Sequence, residues 1–275
     1  MLAVFIIVAL LSFTLPSRAA QAATRFVLAR TIQSPTATGG GFFGEAVAVV
    51  GDSFIVGARG ECAPICGGAV HLFDSNGNPA RTIVTPSLFA SFGASVGGVG
   101  ADPLVGAIMD RTAGPNAGAA YLFDDATGDL LQTFLNPNPA PDPSGGLDFF
   151  GQAVEGFGDD ILVSAPGEHL GAQDAGVVYL FDGATGALLQ TFQKPNPAAF
   201  DQFGVAVATV GNNIAVGAAY LFDGMTAELT ATLLNPERSV TDSFAWQVAA
   251  IGDNLLVSSL FQSSNPAEIS EDGVA

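Results

Sequence analysis

The sequence predicts an all-β protein, a β-propeller of about five four-stranded blades, and two observations lead to this prediction. One block of about sixteen residues recurs five times, and a second block recurs four times. The composition agrees, because 275 residues with 34 glycines and only 12% charged residues suit many short strands joined by tight turns. Apolar residues make up 49% of the chain, enough for a sizeable core.

The first block begins with a Phe-Gly pair or its equivalent and aligns without a gap in all five copies. The copies are FGEAVAVVGDSFIVGA from Phe43, FGASVGGVGADPLVGA from Phe92, FGQAVEGFGDDILVSA from Phe150, FGVAVATVGNNIAVGA from Phe203 and FAWQVAAIGDNLLVSS from Phe244. Each copy reads as two strands joined by a Gly-Asp type hairpin turn. A repeat of roughly fifty residues is typical of a solenoid, a propeller or an array.

The second block supplies the third and fourth strands of each unit. Its copies are HLFDSNGNPARTI at 71–83, YLFDDATGDLLQTF at 121–134, YLFDGATGALLQTF at 179–192 and YLFDGMTAELTATL at 220–233. The Asp-Gly turn inside it offers a side-chain acceptor and a residue that tolerates positive φ. Proline-rich stretches at 136–146 and 194–199 cannot extend a strand ladder and are expected to be connections.

A four-stranded antiparallel unit repeated radially is a propeller blade, and a propeller protects most of its sheet edges. We therefore assign residues 23–275 to one propeller with repeats that start near 43, 92, 150, 203 and 244. The phenylalanine at the head of each repeat is expected to pack between blades. These residues are Phe43, Phe92, Phe150, Phe203 and Phe244.

Two irregularities are also predicted. The last unit lacks a third and a fourth strand, so the segment at 24–35 is expected to complete the final blade. In the fourth unit only Ala219 separates the Gly-Ala pair from Tyr220, too little for a strand reversal. We expect the blade of residues 203–234 to be irregular, with fewer than four regular strands.

The N-terminus predicts export. Residues 2–15 form an apolar run that is too short to span a membrane but suits a signal-peptide core. The sequence Ala20-Gln21-Ala22 follows, so 1–22 is interpreted as a signal peptide and Ala23 as the mature N-terminus. The expected location is secreted, cell-surface or periplasmic, without membrane insertion after cleavage. In such a compartment Cys62 and Cys66 favour a local disulfide.

The charge and the motifs limit the chemistry. A net charge of −18 repels phosphate backbones, so nucleic acid is not an expected partner. The pattern from Gly93 to Gly97 matches GxSxG, but it lies inside a predicted strand, so no catalytic residue is assigned. The local set that could bind a metal or carry out proton chemistry is Glu168, His169 and Asp174, but the sequence favours a solvated loop there and no metal site is assigned.

The two blocks resemble the FG-GAP repeat family, the blade unit of the integrin α-chain head and of many exported bacterial proteins. The resemblance covers residues 24–275 and implies a β-propeller that serves adhesion or extracellular binding. The family's calcium loops carry an Asp-x-Asp-x-Asp-Gly pattern between the first two strands. Here those positions read GDSF, GADP, GDDI, GNNI and GDNL, which supply too few oxygens for Ca²⁺. The chain resembles the bacterial subtype without calcium loops, and no cofactor is expected.

Three functions remain open at this point. The first is a non-catalytic binding or adhesion module for an extracellular protein or glycan, with a ligand at the variable loops 59–69, 108–118 and 166–176. The second is a quinoprotein-type dehydrogenase, whose repeats usually end in tryptophan where this chain has Phe134 and Phe192. The third is a scaffold without a ligand of its own.

Overall fold

A computed structural model describes residues 28, 30–36, 41–62, 66–85, 87–139, 147–217, 220–233 and 243–260. This part of the chain contains strands, turns and irregular segments and no helix, so the all-β class is confirmed. Its 18 strands form four antiparallel sheets of four strands and one of two strands, here called sheets 1 to 5 in chain order. The arrangement is consistent with a propeller-like fold.

The strands follow one another in space in the order in which they occur along the chain. Sheet 1 contains β1 (Val47–Val50), β2 (Ser53–Ala58), β3 (Ala69–Phe73) and β4 (Pro79–Val84). Sheet 2 contains β5 (Phe92–Val99), β6 (Asp102–Ala107), β7 (Ala119–Phe123) and β8 (Leu130–Leu135). Sheet 3 contains β9 (Val154–Phe157), β10 (Asp160–Ala165), β11 (Val177–Phe181) and β12 (Leu188–Phe192). Sheet 4 contains β13 (Val207–Val210), β14 (Asn213–Val216), β15 (Tyr220–Asp223) and β16 (Leu229–Thr232), and sheet 5 contains β17 (Ser243–Ile251) and β18 (Asn254–Leu260).

The first hairpin of every sheet is closed by a two-residue turn that begins with glycine. Val50 pairs with Ser53 across Gly51, whose φ is 56°, and the other four sheets repeat this register. Glycine with positive φ at the first central position identifies a type II′ turn, which matches the twist of the flanking strands. The predicted Gly-Asp type hairpins are confirmed.

The Phe-Gly pair forms a second recurrent turn, which precedes the first strand in sheets 1, 3 and 4 and lies at the start of β5 in sheet 2. The carbonyl of Ser91 accepts a hydrogen bond from the N–H of Ala94, and Gly93 between them has a φ of 86°. Sheets 1, 3 and 4 contain the same turn. A glycine with positive φ at the third position is characteristic of a type II turn.

The core consists of three apolar clusters, and each contains residues of two consecutive sheets. Phe92, Phe150 and Phe203 are fully buried, one in each cluster. Phe43 is half-buried against His71 and Phe73, while the side chain of Phe244 lies outside the described part. Backbones of adjacent sheets meet closely, because a Cβ on Gly106 would lie 2.1 Å from the Gly151 carbonyl oxygen. This contact explains the small residues of the Val-Gly-Ala segments.

The prediction that the fourth unit is irregular is wrong. Sheet 4 has four regular antiparallel strands, and Val216 pairs with Tyr220. Strand β14 ends at Val216, before the Gly-Ala pair, and β15 begins at Tyr220, so three residues separate the two strands. A loop of three residues is sufficient for a hairpin.

The prediction that the N-terminal segment completes the last blade is also wrong for the residues that the structure describes. Residues 28 and 30–36 form no strand, and β17 and β18 make a two-stranded sheet. The Arg30 guanidinium instead donates hydrogen bonds to the Asn76 carbonyl and to the Asn78 side chain, in the turn between β3 and β4. The signal-peptide prediction falls on residues outside the described part.

Candidate functional site

The variable loops and the connections between sheets lie at the same end of the molecule, here called the loop end. It comprises the segment that enters β1, the loops that follow β2, β6 and β10, and the connections that enter β5, β9 and β13. In sheet 1 the Gly60 N–H donates to the Gly41 carbonyl at 3.1 Å. The Phe89 N–H donates to the Cys66 carbonyl at 2.7 Å, and the Phe200 N–H donates to the Gln173 carbonyl at 2.8 Å. These two connections are therefore hydrogen-bonded to the variable loop of the preceding sheet, and Phe150, at the end of the third connection, forms an isolated β-bridge with Gly118 in the loop after β6.

A buried carboxylate fastens each variable loop to the third strand of its own sheet. Tyr121 donates its hydroxyl to Asp110 at 2.8 Å, and Tyr179 donates its hydroxyl to Glu168 at 2.6 Å. In sheet 1 the pair is Glu61 with His71, whose Nε2 lies 2.8 Å from the carboxylate. All three carboxylates are buried. They lie three residues after the Ala of each Gly-Ala or Ser-Ala pair. This constant spacing is visible in the sequence and could have identified the three carboxylates.

The structure does not bring Glu168, His169 and Asp174 together as a metal site. Glu168 points inward, where it also accepts a hydrogen bond from Asn138 at 2.9 Å, and burial raises its pKa. His169 Nε2 lies 2.9 Å from an Asp174 carboxylate oxygen on the surface. In the part of the chain that the structure describes, no three His, Cys, Asp or Glu residues form a group that could hold a metal ion.

The first variable loop is further restrained by a covalent bond. Cys62 and Cys66 are joined as a disulfide directly after Glu61. His71 Nδ1 lies 2.9 Å from the Thr82 hydroxyl, so the imidazole connects a carboxylate with a hydroxyl. Since His71 is fully buried, this chain of hydrogen bonds restrains the loop and leaves the imidazole out of contact with solvent.

Ser95, the serine of the GxSxG pattern, lies in β5. Its hydroxyl donates a hydrogen bond to the Gly151 carbonyl of the next sheet at 2.7 Å. The other repeats place alanine or glutamine at this position. The serine is therefore engaged in the contact between sheets 2 and 3.

The loop end exposes phenylalanines with unusual backbone geometry. Phe42, Phe89 and Phe200 are 60%, 64% and 64% exposed, and all three have a φ between 55° and 66°. Positive φ is uncommon for a residue with a bulky side chain. Phe42 also faces the Arg59 guanidinium at 5.1 Å. The sequence shows these aromatic residues, but nothing in it gives their exposure or their backbone conformation.

A central cavity lies between the first strands of all five sheets. Its volume is about 760 Å³, and β1, β5, β9, β13 and β17 all contribute to its wall. Phe149, Pro166, Gly167 and Gln202 place its rim at the loop end. No lysine, arginine or histidine lies among the described residues that line it.

Glu155 is the exceptional residue of this cavity. Its position in the first block is occupied by Ala48, Gly97, Ala208 and Ala249 in the other repeats. Glu155 lines the cavity, forms no hydrogen bond or ion pair with the described residues, and burial raises its pKa to about 7. Glu155 was not among the predicted site residues, although a single glutamate at a position where the other aligned blocks have alanine or glycine indicates an unusual role.

Comparisons with known proteins give no family. No family model matches the chain, and no curated protein matches it significantly. Among the described residues, no helix is long and apolar enough to cross a membrane.

Proposed function

We propose that the chain is an exported, non-catalytic β-propeller of five blades that binds an extracellular protein through its loop end. Three features support the ring of blades. The sheets contact one another in chain order, their first strands share one cavity, and consecutive sheets share apolar clusters. The resemblance of the repeats to the FG-GAP family and the apolar N-terminal run support export and adhesion.

The exposed phenylalanines at the loop end are the observation that carries this proposal. Holding Phe42, Phe89 and Phe200 in a left-handed conformation costs on the order of 1 kcal/mol each, and such strain is concentrated at functional sites. Phenylalanine is enriched in protein interfaces. Leu88, which is also exposed, extends the apolar surface beside Phe89. This chemistry favours a protein partner over a glycan.

The test is capture of extracellular or surface proteins on immobilised chain 23–275, in parallel with a glycan array. The variant Phe89→Asn/Phe200→Asn removes two anchors, and asparagine tolerates a left-handed backbone. The control Leu131→Thr/Leu189→Thr removes two exposed leucines from β8 and β12, away from the loop end. We expect the first variant to bind the captured protein at least tenfold more weakly and the control to bind like the wild type.

Other results would redirect the proposal. Equal binding by both variants would place the partner on another surface, and binding to the glycan array alone would make a glycan the ligand. Substrate oxidation with added pyrroloquinoline quinone would support the dehydrogenase alternative. If the chain neither binds a protein or glycan nor oxidises a substrate, the remaining function is a scaffold without a ligand of its own.

A further inference from the structure

We propose that the central cavity binds a small organic ammonium ion, whose charge pairs with the carboxylate of Glu155. This inference rests on the cavity and does not depend on the proposed protein partner. Glu155 projects from β9, where its cross-strand partner on β10 is Leu162. The neighbouring side chains on the same face, Ala153 and Phe157, pack against the apolar cluster between sheets 3 and 4. The carboxylate is thus in an apolar environment without a counter-charge among the described residues.

The cavity wall suits a ligand with a cationic head and an apolar body. Its volume of about 760 Å³ lies within the range of small-molecule sites. Valines from the first strands form apolar walls, and three amides, Gln152, Gln202 and Gln247, offer hydrogen bonds. A half-buried carboxylate attracts a cation more strongly than one that is fully exposed to water. The net charge of −18 raises the local concentration of cations around the whole molecule.

An ammonium ion fits this site better than a metal ion. Glu45 is the other carboxylate in the described lining, and it lies 2.7 Å from the Arg59 guanidinium. Glu155 is therefore the one lining carboxylate without a partner, whereas Ca²⁺ requires six to eight oxygen ligands. A single ion pair in a cavity with apolar walls is sufficient for an alkylammonium.

Protons and the ligand compete for Glu155. The titratable side chains among the described lining residues are Glu155 and Glu45, and the Glu155 carboxyl has a pKa of about 7. An alkylammonium has a pKa near that of lysine, about 10.4, and stays charged between pH 5 and pH 8. Its affinity is therefore expected to rise with pH across this interval.

The test uses n-hexylammonium as the probe and calorimetric titration of the exported chain at pH 8. The neutral probe n-hexanol has the same apolar body without the charge. Glu155→Gln removes the charge from the cavity, and Glu155→Ala introduces the residue that three other repeats carry. Glu228→Gln, at an exposed residue outside the cavity, is the control for the same change in net charge.

We expect hexylammonium to bind the wild type and the Glu228→Gln variant with equal affinity. Both Glu155 variants and the wild type at pH 5 should bind it at least tenfold more weakly, and hexanol should bind at least tenfold more weakly than hexylammonium. Absence of hexylammonium binding, an equal affinity for hexanol, or an unchanged affinity in the Glu155 variants would each overturn the proposal. Displacement of the probe by micromolar Ca²⁺ would also overturn it, because the site would then be a metal site.

Discussion

Glu155 couples the stability of the fold to pH. Its pKa is raised by burial from the usual 4.5 to about 7, so the folded chain retains a proton that the unfolded chain releases. The free energy of unfolding therefore falls as pH rises from about 4.5 to about 7, by up to about 3 kcal/mol. Below pH 4.5 the carboxyl is protonated in both states and has no such effect.

Replacement of Glu155 by alanine is expected to remove this decrease in the free energy of unfolding with rising pH. Urea unfolding at pH 4.5 and pH 8 should show the variant gaining stability relative to the wild type as pH rises. The exposed Glu228→Ala variant should show no comparable gain. An equal change in stability between the two pH values in the wild type and in Glu155→Ala would contradict the assignment.

The Tyr179 hydroxyl stabilises a buried carboxylate. Glu168 accepts the Tyr179 and Asn138 hydrogen bonds through one oxygen, while its other oxygen has no hydrogen-bond partner among the described residues. Tyr179→Phe is expected to destabilise the fold by about 1–3 kcal/mol, because it leaves the buried acid less satisfied. Among the described residues, Tyr220, the equivalent residue of sheet 4, forms no hydrogen bond with a carboxylate, and only three residues separate β14 from β15.

Tyr220→Phe is the matched control and should cost less than about 0.5 kcal/mol. Denaturant unfolding at pH 7 measures both variants. Equal losses in the two variants would show that the hydroxyl–carboxylate bond contributes nothing.

At the scale of the element, the turns between third and fourth strands show where the repeat is imperfect. Gly128 and Gly186 have φ values of 79° and 71°, as the turn requires, but sheet 4 carries Ala227 at 58°. The Asp182 carboxylate accepts hydrogen bonds from both the N–H and the hydroxyl of Thr185, and Asp223 does the same with Thr226. The turn is therefore conserved in shape although one glycine is missing.

Ala227→Gly is expected to stabilise the chain by about 1 kcal/mol, because it relieves an unfavourable left-handed conformation. Ala184→Gly, in the equivalent turn of sheet 3 but at a residue without positive φ, should be neutral or destabilising. Thermal unfolding of both variants provides the comparison. A loss of stability in Ala227→Gly would show that the left-handed conformation of Ala227 is not unfavourable.

Turns and strands were largely predictable because glycine, aspartate and apolar alternation act locally. The type II′ hairpins and the four-strand units follow from such patterns. The reversal between Val216 and Tyr220 was mispredicted because a strand can end before its apparent pattern does. The exposure and the positive φ of Phe89 and Phe200 depend on hydrogen bonds to a preceding loop, and no local pattern specifies such contacts.

At the scale of the whole molecule, the five-fold repetition predicted the series of sheets, but the strand predicted at 24–35 has no counterpart among the described residues. Packing between sheets depends on recurrent small residues such as Gly57 and Gly106, which the blocks display. Arg30, in contrast, lies in a segment that precedes the first repeat and has no equivalent in the other repeats. Its contact with Asn76 could not be inferred, because an arginine side chain is long enough to reach many surface carbonyls.

Calcium is not expected to stabilise the molecule. The strand-joining turns are short, and the described residues include no metal-binding group of three His, Cys, Asp or Glu side chains. A site held at one hundred times its dissociation constant would add about 2.7 kcal/mol. The melting temperature should therefore stay within about one degree when 1 mM Ca²⁺ is replaced by a chelator, and a shift of several degrees would disprove this.

Hydrogen–deuterium exchange with and without the captured partner tests the central claim, that the loop end is the binding surface. The account predicts that the partner slows exchange in the connections 87–92 and 198–204. The hairpin turns at the opposite end, 51–52, 100–101, 158–159 and 211–212, should exchange as in the free chain. Protection confined to those turns or to the outer strands β4, β8, β12 and β16 would contradict the account.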